Sequence, residues 1–120
     1  MDPHLMDFYS ARLLFVVLVA DRPGRKRHLY DETVIIFRAK DSAHAFERAL
    51  ELGREQETDY PNDKGHQVRW ALVQILNINH IGRSVDGKEV ASSLHYRTSK
   101  ESIPPDHIFH PEKSKPGESF

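Results

Sequence analysis

Runs of apolar residues predict two strands in the first third of the chain. Residues 9–19 are apolar at odd and at even positions, the pattern of a central strand that is covered on both faces. Residues 33–39 are rich in β-branched side chains, which favours a second strand. Asp21, Pro23 and Gly24 lie between them and supply turn chemistry, since proline presets φ and glycine permits positive φ. We therefore predict an antiparallel hairpin.

Helical spacing of apolar residues follows directly after this hairpin. Over residues 43–55 apolar side chains recur on one side of a helix and charged side chains on the other. Asp41 and Ser42 stand just before this segment, and either side chain is a suitable N-cap. One helix of about three to four turns is predicted here.

A second hairpin completes the predicted fold. Residues 60–65 have loop composition, residues 68–78 form a third apolar run, and an Asp86-Gly87 turn precedes a fourth strand at 89–96. The predicted order is β-β-α-β-β. It corresponds to an α+β domain with a four-stranded antiparallel sheet and one helix on one face.

One short helix covers only one face of such a sheet, although the first and third strands are apolar on both faces. The second face must therefore meet something else. A homodimer through this open face is favoured over coverage by the C-terminal tail and over a different protein partner. Residues 1–7 are assigned to an N-terminal arm, 8–96 to the domain and 97–120 to a flexible tail. This tail contains four of the seven prolines.

Composition narrows the function classes. The chain of 120 residues has 17 Lys and Arg against 18 Asp and Glu, a net charge of −1, and no cysteine. A globally basic nucleic-acid binder, a disulfide scaffold and a cysteine-ligated metal site are excluded. The apolar run at 13–20 has the length of a signal-peptide core, but the segment before it contains Asp2 and Asp7. We interpret the run as a buried strand and expect a cytoplasmic protein.

The opening strand resembles the start of a known family. Residues 8–15 read Phe-Tyr-Ser-Ala-Arg-Leu-Leu-Phe, which is similar to the opening of the bacterial DUF4288 family, whose function is uncharacterised. The similarity extends over roughly residues 8–96, and its later features follow in the expected order: Glu32-Thr33-Val34-Ile35, a capped helix after Ala39, Tyr60 with Asn62 and Gly65, Val68-Arg69-Trp70, Asp86-Gly87 and Glu89-Val90. The resemblance implies a small bacterial cytosolic protein and assigns no activity or catalytic residue. A basic first hairpin loop and a long proline-rich tail depart from the family pattern.

That basic loop is one candidate contact surface. Four positive charges lie within six residues, while the rest of the chain carries an excess of acids. Such a loop is suited to contact phosphates or to attract an acidic protein, although it is equally consistent with a solubilising turn. The candidate residues are Arg22, Arg25, Lys26, Arg27 and His28.

A polar and aromatic patch is the second candidate surface. It comprises Tyr9, Arg12, Glu32, Tyr60, Arg69 and Trp70. Arg12 and Arg69 lie on otherwise apolar strands, and a buried arginine requires a carboxylate partner. We predict that Glu32 supplies it and that the ion pair ties the sheet together. Arginine, tyrosine and tryptophan are also the residues that most often anchor protein interfaces.

Catalytic and metal sites have little support. Eight histidines are present, yet His107 and His110 are flanked by prolines, and no third ligand is apparent near them. Glu47, Glu51 and Glu55 share one helix side, where we expect a solvated surface. No catalytic residue, metal or cofactor is therefore predicted. We expect a non-enzymatic protein that binds a protein partner, with nucleic-acid binding through the basic loop as the alternative and no membrane contact.

Overall fold

The longest apolar run of the sequence becomes the central strand of a sheet. A computed structural model describes residues 6–92 and 94–115 of the chain. The first strand, β1, spans Asp7–Val19 and pairs antiparallel with β2, Leu29–Ala39. On its other side β1 pairs antiparallel with β4, Gln67–Gly82. Strand pairing on both sides and apolar residues on both faces make β1 the best-buried element of the molecule.

The helix packs on one face of this sheet. It is α1, Ser42–Glu55, and the Asp41 side chain accepts the backbone N–H of His44 at 2.8 Å. Of the two candidate caps, Asp41 is therefore the one in use, which satisfies an otherwise unpaired N–H of the first turn. Ala45 and Ala49 are fully buried beneath the helix. The core under the helix consists of Tyr9, Ala11, Leu13, Phe15, Phe37, Ala39, Ala45 and Ala49.

The predicted α+β class and element order are confirmed, but one strand is not where the sequence placed it. A short strand, β3, spans Thr58–Pro61 and pairs with β4. The strand order across the sheet is β2-β1-β4-β3, and every neighbouring pair is antiparallel. The prediction of a strand at 89–96 was wrong, since the described residues of this segment form no strand.

The turn that led to that prediction does exist. Gly87 has φ +71°, as turn chemistry at this position requires. The described residues beyond it form no strand; on the sheet face opposite the helix, the Ser10 hydroxyl donates to the Val90 carbonyl at 2.8 Å. Part of the second sheet face is thus covered by residues of the same chain.

The proposed division into an arm at 1–7, a domain at 8–96 and a tail at 97–120 stays a prediction. Residues 1–5 of the arm and 116–120 of the tail lie outside the described residues. In the tail, Pro111–Lys113 form a 3₁₀ turn. Within 6–92 and 94–115, no helix has the length and apolarity needed to cross a membrane.

Candidate functional site

The two faces of the sheet differ in how they are covered. Odd-numbered residues of β1 point to the helix face, where Leu13 and Phe15 are buried. Even-numbered residues of β1 point to the opposite side, here called the open face. On the open face the 88–92 segment reaches Ser10, and the Arg38 guanidinium lies 4.5 Å above the centre of the Phe8 ring. These two contacts lie at one end of β1, while Val16 near its other end is also buried on the open face, at 8% exposed.

Exposed apolar side chains remain on the open face of β2. Tyr30, Val34 and Ile36 are 55%, 37% and 48% exposed. Their register partners on β1 are Val16, Arg12 and Ser10, which places all three on the open face. Together with exposed Glu32 between them, these side chains form a continuous row. We call this row, Tyr30, Glu32, Val34 and Ile36, the β2 surface.

The outer edge of β2 is the second feature of this strand. β2 is the last strand on its side of the sheet, so among the described residues no strand pairs with its outer N–H and C=O groups. Its register with β1 runs without a bulge over all of Leu29–Ala39, and it contains no proline. The other edge strand, β3, has four residues and ends at Pro61. Natural sheets usually blunt their edges with short strands, prolines, bulges or charged side chains. β3 is short and ends in a proline, whereas β2 has only the charged side chains of Asp31, Glu32 and Arg38.

The structure divides the predicted polar and aromatic patch between two faces. Tyr9 is buried on the helix face, with its ring 5.0 Å from that of His80. Arg12 and Glu32 lie diagonally on the open face, opposite Val34 and Leu14. Within the described residues they form no ion pair, so the predicted bridge is wrong. Arg12 is half-buried and Glu32 exposed; water therefore solvates both charges and no partner is required.

The remaining patch residues lie at the far end of the sheet. The Trp70 Nε1–H donates to the Tyr60 hydroxyl at 3.4 Å. Arg69, the second arginine expected to need a carboxylate, is exposed. Next to Trp70 a cavity of about 330 Å³ is lined by Phe15, Asp31, Gln56, Thr58 and Trp70. Tyr60 and Trp70 thus belong together, whereas Tyr9, Arg12 and Glu32 are separate from them.

The basic loop connects β1 and β2 at this same end. The Arg25 guanidinium donates to Asp21 at 2.8 Å, so one of the four positive charges of the loop is already paired within it. Arg22, Lys26 and Arg27 are exposed, and His28 is half-buried. The loop therefore presents three cationic side chains to solvent.

The charged residues of the helix form no enclosed site. Glu47, Glu51 and Glu55 are exposed along its outer side, as expected for a solvated surface. The His80 ring pairs with Asp7 at 2.8 Å, and the His110 ring pairs with Glu112 at the same distance. Over 6–92 and 94–115, no group of three or more histidine or acidic side chains is arranged to hold a metal ion.

Sequence reasoning missed the β2 surface. Val34 and Ile36 were assigned to a strand but not to an exposed one, and Tyr30 was not assigned to any element. The signal that pointed towards them was the mismatch between one helix and a sheet with two apolar faces.

Comparison with known proteins places the chain in a family. The family model for a domain of unknown function, DUF4288, matches residues 8–92, which include α1, β2, β3, β4 and all of β1 except its first residue. No curated protein and no solved structure matches the chain. Since the match covers more than half of its length, the chain belongs to the DUF4288 family.

Proposed function

We propose that this protein is a non-enzymatic binding protein and that the β2 surface, with the free edge of β2, is where it binds another protein. One observation carries the proposal: Tyr30, Val34 and Ile36 are exposed on the same face of a strand whose outer edge pairs with no other strand among the described residues. A protein partner covers such a surface in two ways at once. It buries the apolar side chains, and it pairs with the backbone groups of the edge.

Several features support binding rather than catalysis. The helix carboxylates Glu47, Glu51 and Glu55 are exposed and line a shallow cavity of about 530 Å³ that is open to solvent, whereas acid–base catalysis requires an enclosed site that shifts a pKa. The β2 surface contains one carboxylate among apolar groups, a mixture common in protein interfaces. The bacterial cytoplasmic location implied by the family resemblance stays a prediction.

Capture of binding partners with matched variants tests the proposal. Tagged protein is used as bait in nuclease-treated lysate at physiological salt. The bait carries Ile36→Lys or, as control, Val73→Lys, which replaces a side chain of similar exposure (51% against 48%) on β4. A stoichiometric partner should be retained by wild type and by the control, and lost with Ile36→Lys. Equal retention by both variants contradicts the assignment of the β2 surface.

Nucleic-acid binding through the basic loop is the second candidate. Arg22, Lys26 and Arg27 are exposed together, and lysine and arginine contacts to phosphates give strong salt dependence. The same capture experiment without nuclease examines this possibility. Recovery of RNA or DNA that is lost at higher salt and on replacing the three cations by alanine would favour it over the protein-binding proposal.

A further inference from the structure

We propose that the protein paired with β2 is a second copy of this chain, joined edge to edge in an antiparallel register centred on Ile35. The inference rests on the proposed function, because it names the occupant of the same β2 surface. The two four-stranded sheets would form one continuous sheet with a twofold axis perpendicular to it.

Twofold symmetry restricts the possible registers. In an antiparallel pair about such an axis, one residue faces its own copy, and every other residue faces the one equally far on the other side. With Ile35 on the axis, Val34 faces Ile36 of the second copy. Glu32 then faces Arg38 of the second copy, and symmetry repeats both contacts.

This register matches apolar with apolar and acid with base. Val34 and Ile36 are both exposed on the open face, so their cross-strand pairs bury side chains that water now contacts. Glu32 is exposed and lacks an ion-pair partner among the described residues. Arg38 lies on the same face, where its guanidinium is stacked over Phe8. Opposite charges placed directly across strands stabilise the pairing.

Neighbouring registers fit less well. Moving the axis to Val34 places the carboxylate of Glu32 opposite the apolar side chain of Ile36. Moving it to Ile36 places Val34 opposite the guanidinium of Arg38. Of these three registers, only the one centred on Ile35 gives both the Val34–Ile36 pairs and the Glu32–Arg38 pairs. The charges of β2 therefore complement those of a second copy in this register.

Disulfide cross-linking of single-cysteine variants tests this register directly, because the natural chain has no cysteine. Residues facing each other across antiparallel strands have Cα atoms roughly 4.5–5.5 Å apart, within the range a disulfide requires. Ile35→Cys should therefore oxidise to a covalent dimer of twice the 13.9 kDa chain mass. Val34→Cys and Ile36→Cys should each stay monomeric in a denaturing gel, yet an equimolar mixture of the two should cross-link.

A charge exchange provides an independent readout by sedimentation equilibrium. Glu32→Arg and Arg38→Glu each place like charges in opposition, twice per dimer, and should raise the dimer Kd by at least about tenfold. The double exchange should restore the wild-type value. Glu47→Arg makes the same charge change on the outer side of α1 and serves as the control.

The outcomes separate this inference from the proposed function. Cross-linking at Ile35→Cys and in the mixture, with rescue by the double exchange, supports it. Self-cross-linking at Val34→Cys or Ile36→Cys, or exchanges without effect on a dimer, overturns the register while binding at β2 stands. A chain that stays monomeric at every concentration overturns the second copy as occupant, and the capture experiment with Ile36→Lys then decides the proposed function separately.

Discussion

Leu13→Ala measures how strongly the helix holds the sheet. Leu13 is on the central strand, has no exposed surface, and faces the helix. Its Cδ1 lies 3.5 Å from the position that a Cβ on Gly53 of the helix would occupy. The side chain therefore fills the space between β1 and α1, and truncation leaves a cavity there.

The size of the effect follows from this position. Replacing a buried leucine by alanine costs about 2–5 kcal/mol, with the larger values where the surroundings cannot collapse. Leu13 is directly paired with Thr33 and Ile75 on the two neighbouring strands, which restrains the backbone around it. We expect a loss of about 3–4 kcal/mol, a large part of the roughly 5–15 kcal/mol that stabilises a typical domain.

Urea titration followed by far-UV circular dichroism measures this loss. For a urea m value of about 1.5–2 kcal/mol/M, the midpoint should fall by about 2 M while m stays unchanged. Leu14→Ala is the matched control, since Leu14 is half-buried and points to the open face. It should cost about half as much. An equal or larger loss in Leu14→Ala would refute the assignment of α1 to the odd-numbered face of β1.

Three further predictions concern local contacts. Asp41→Ala removes the helix cap and should lower the free energy of unfolding by about 1 kcal/mol in the same titration; no change would mean that the cap is dispensable. Ser10→Ala removes the hydroxyl bonded to Val90 and should speed amide hydrogen exchange over residues 88–92, whereas unaltered exchange would show that other contacts hold this segment. The pKa of Glu112 lies below its ordinary value of 4.5, because its carboxylate accepts a hydrogen bond from its own backbone N–H and another from His110. These contacts favour the ionised carboxylate and are lost as pH falls through the lowered pKa. His110→Ala should raise that pKa only part of the way to 4.5 in an NMR titration, and a full return would mean that the backbone contributes nothing.

The elements with strong local signals were predictable from the sequence. β1 was predicted at 9–19 and spans Asp7–Val19, because the uninterrupted apolar run at 13–20 has the pattern of a central strand covered on both faces. The helix was predicted at 43–55 and spans Ser42–Glu55. The apolar periodicity and the N-cap residue both indicate a helix that starts near residue 42, so the predicted and observed boundaries differ by one residue.

The second hairpin was misplaced for a physical reason. β3 is exposed throughout Thr58–Pro61, so it has no apolar alternation to reveal it. Its turn was recognised, but as part of a loop: the Asn62 Oδ1 accepts the backbone N–H groups of Lys64 and His66 and so closes the β3–β4 connection. A proline is tolerated here because β3 is an edge strand and Pro61 is its last residue.

The β2 surface shows that a strand's own sequence does not determine whether the strand lies at the centre or at the edge of a sheet. Val34 and Ile36 have the composition of a buried strand, and they would be buried if another strand lay beside β2. Position in the sheet is decided by the pairing of β1 with β4, a contact between distant parts of the chain. That pairing leaves β2 at the edge of the described sheet, with an apolar row on one face and a regular backbone that has no strand on its outer side there. β3, the other edge strand, is short and ends in a proline, whereas β2 has exposed apolar residues. This difference is typical of a strand that is covered by a binding partner. The row therefore supports the proposed binding function more strongly than the basic loop does, because Arg25 of the loop is already paired with Asp21.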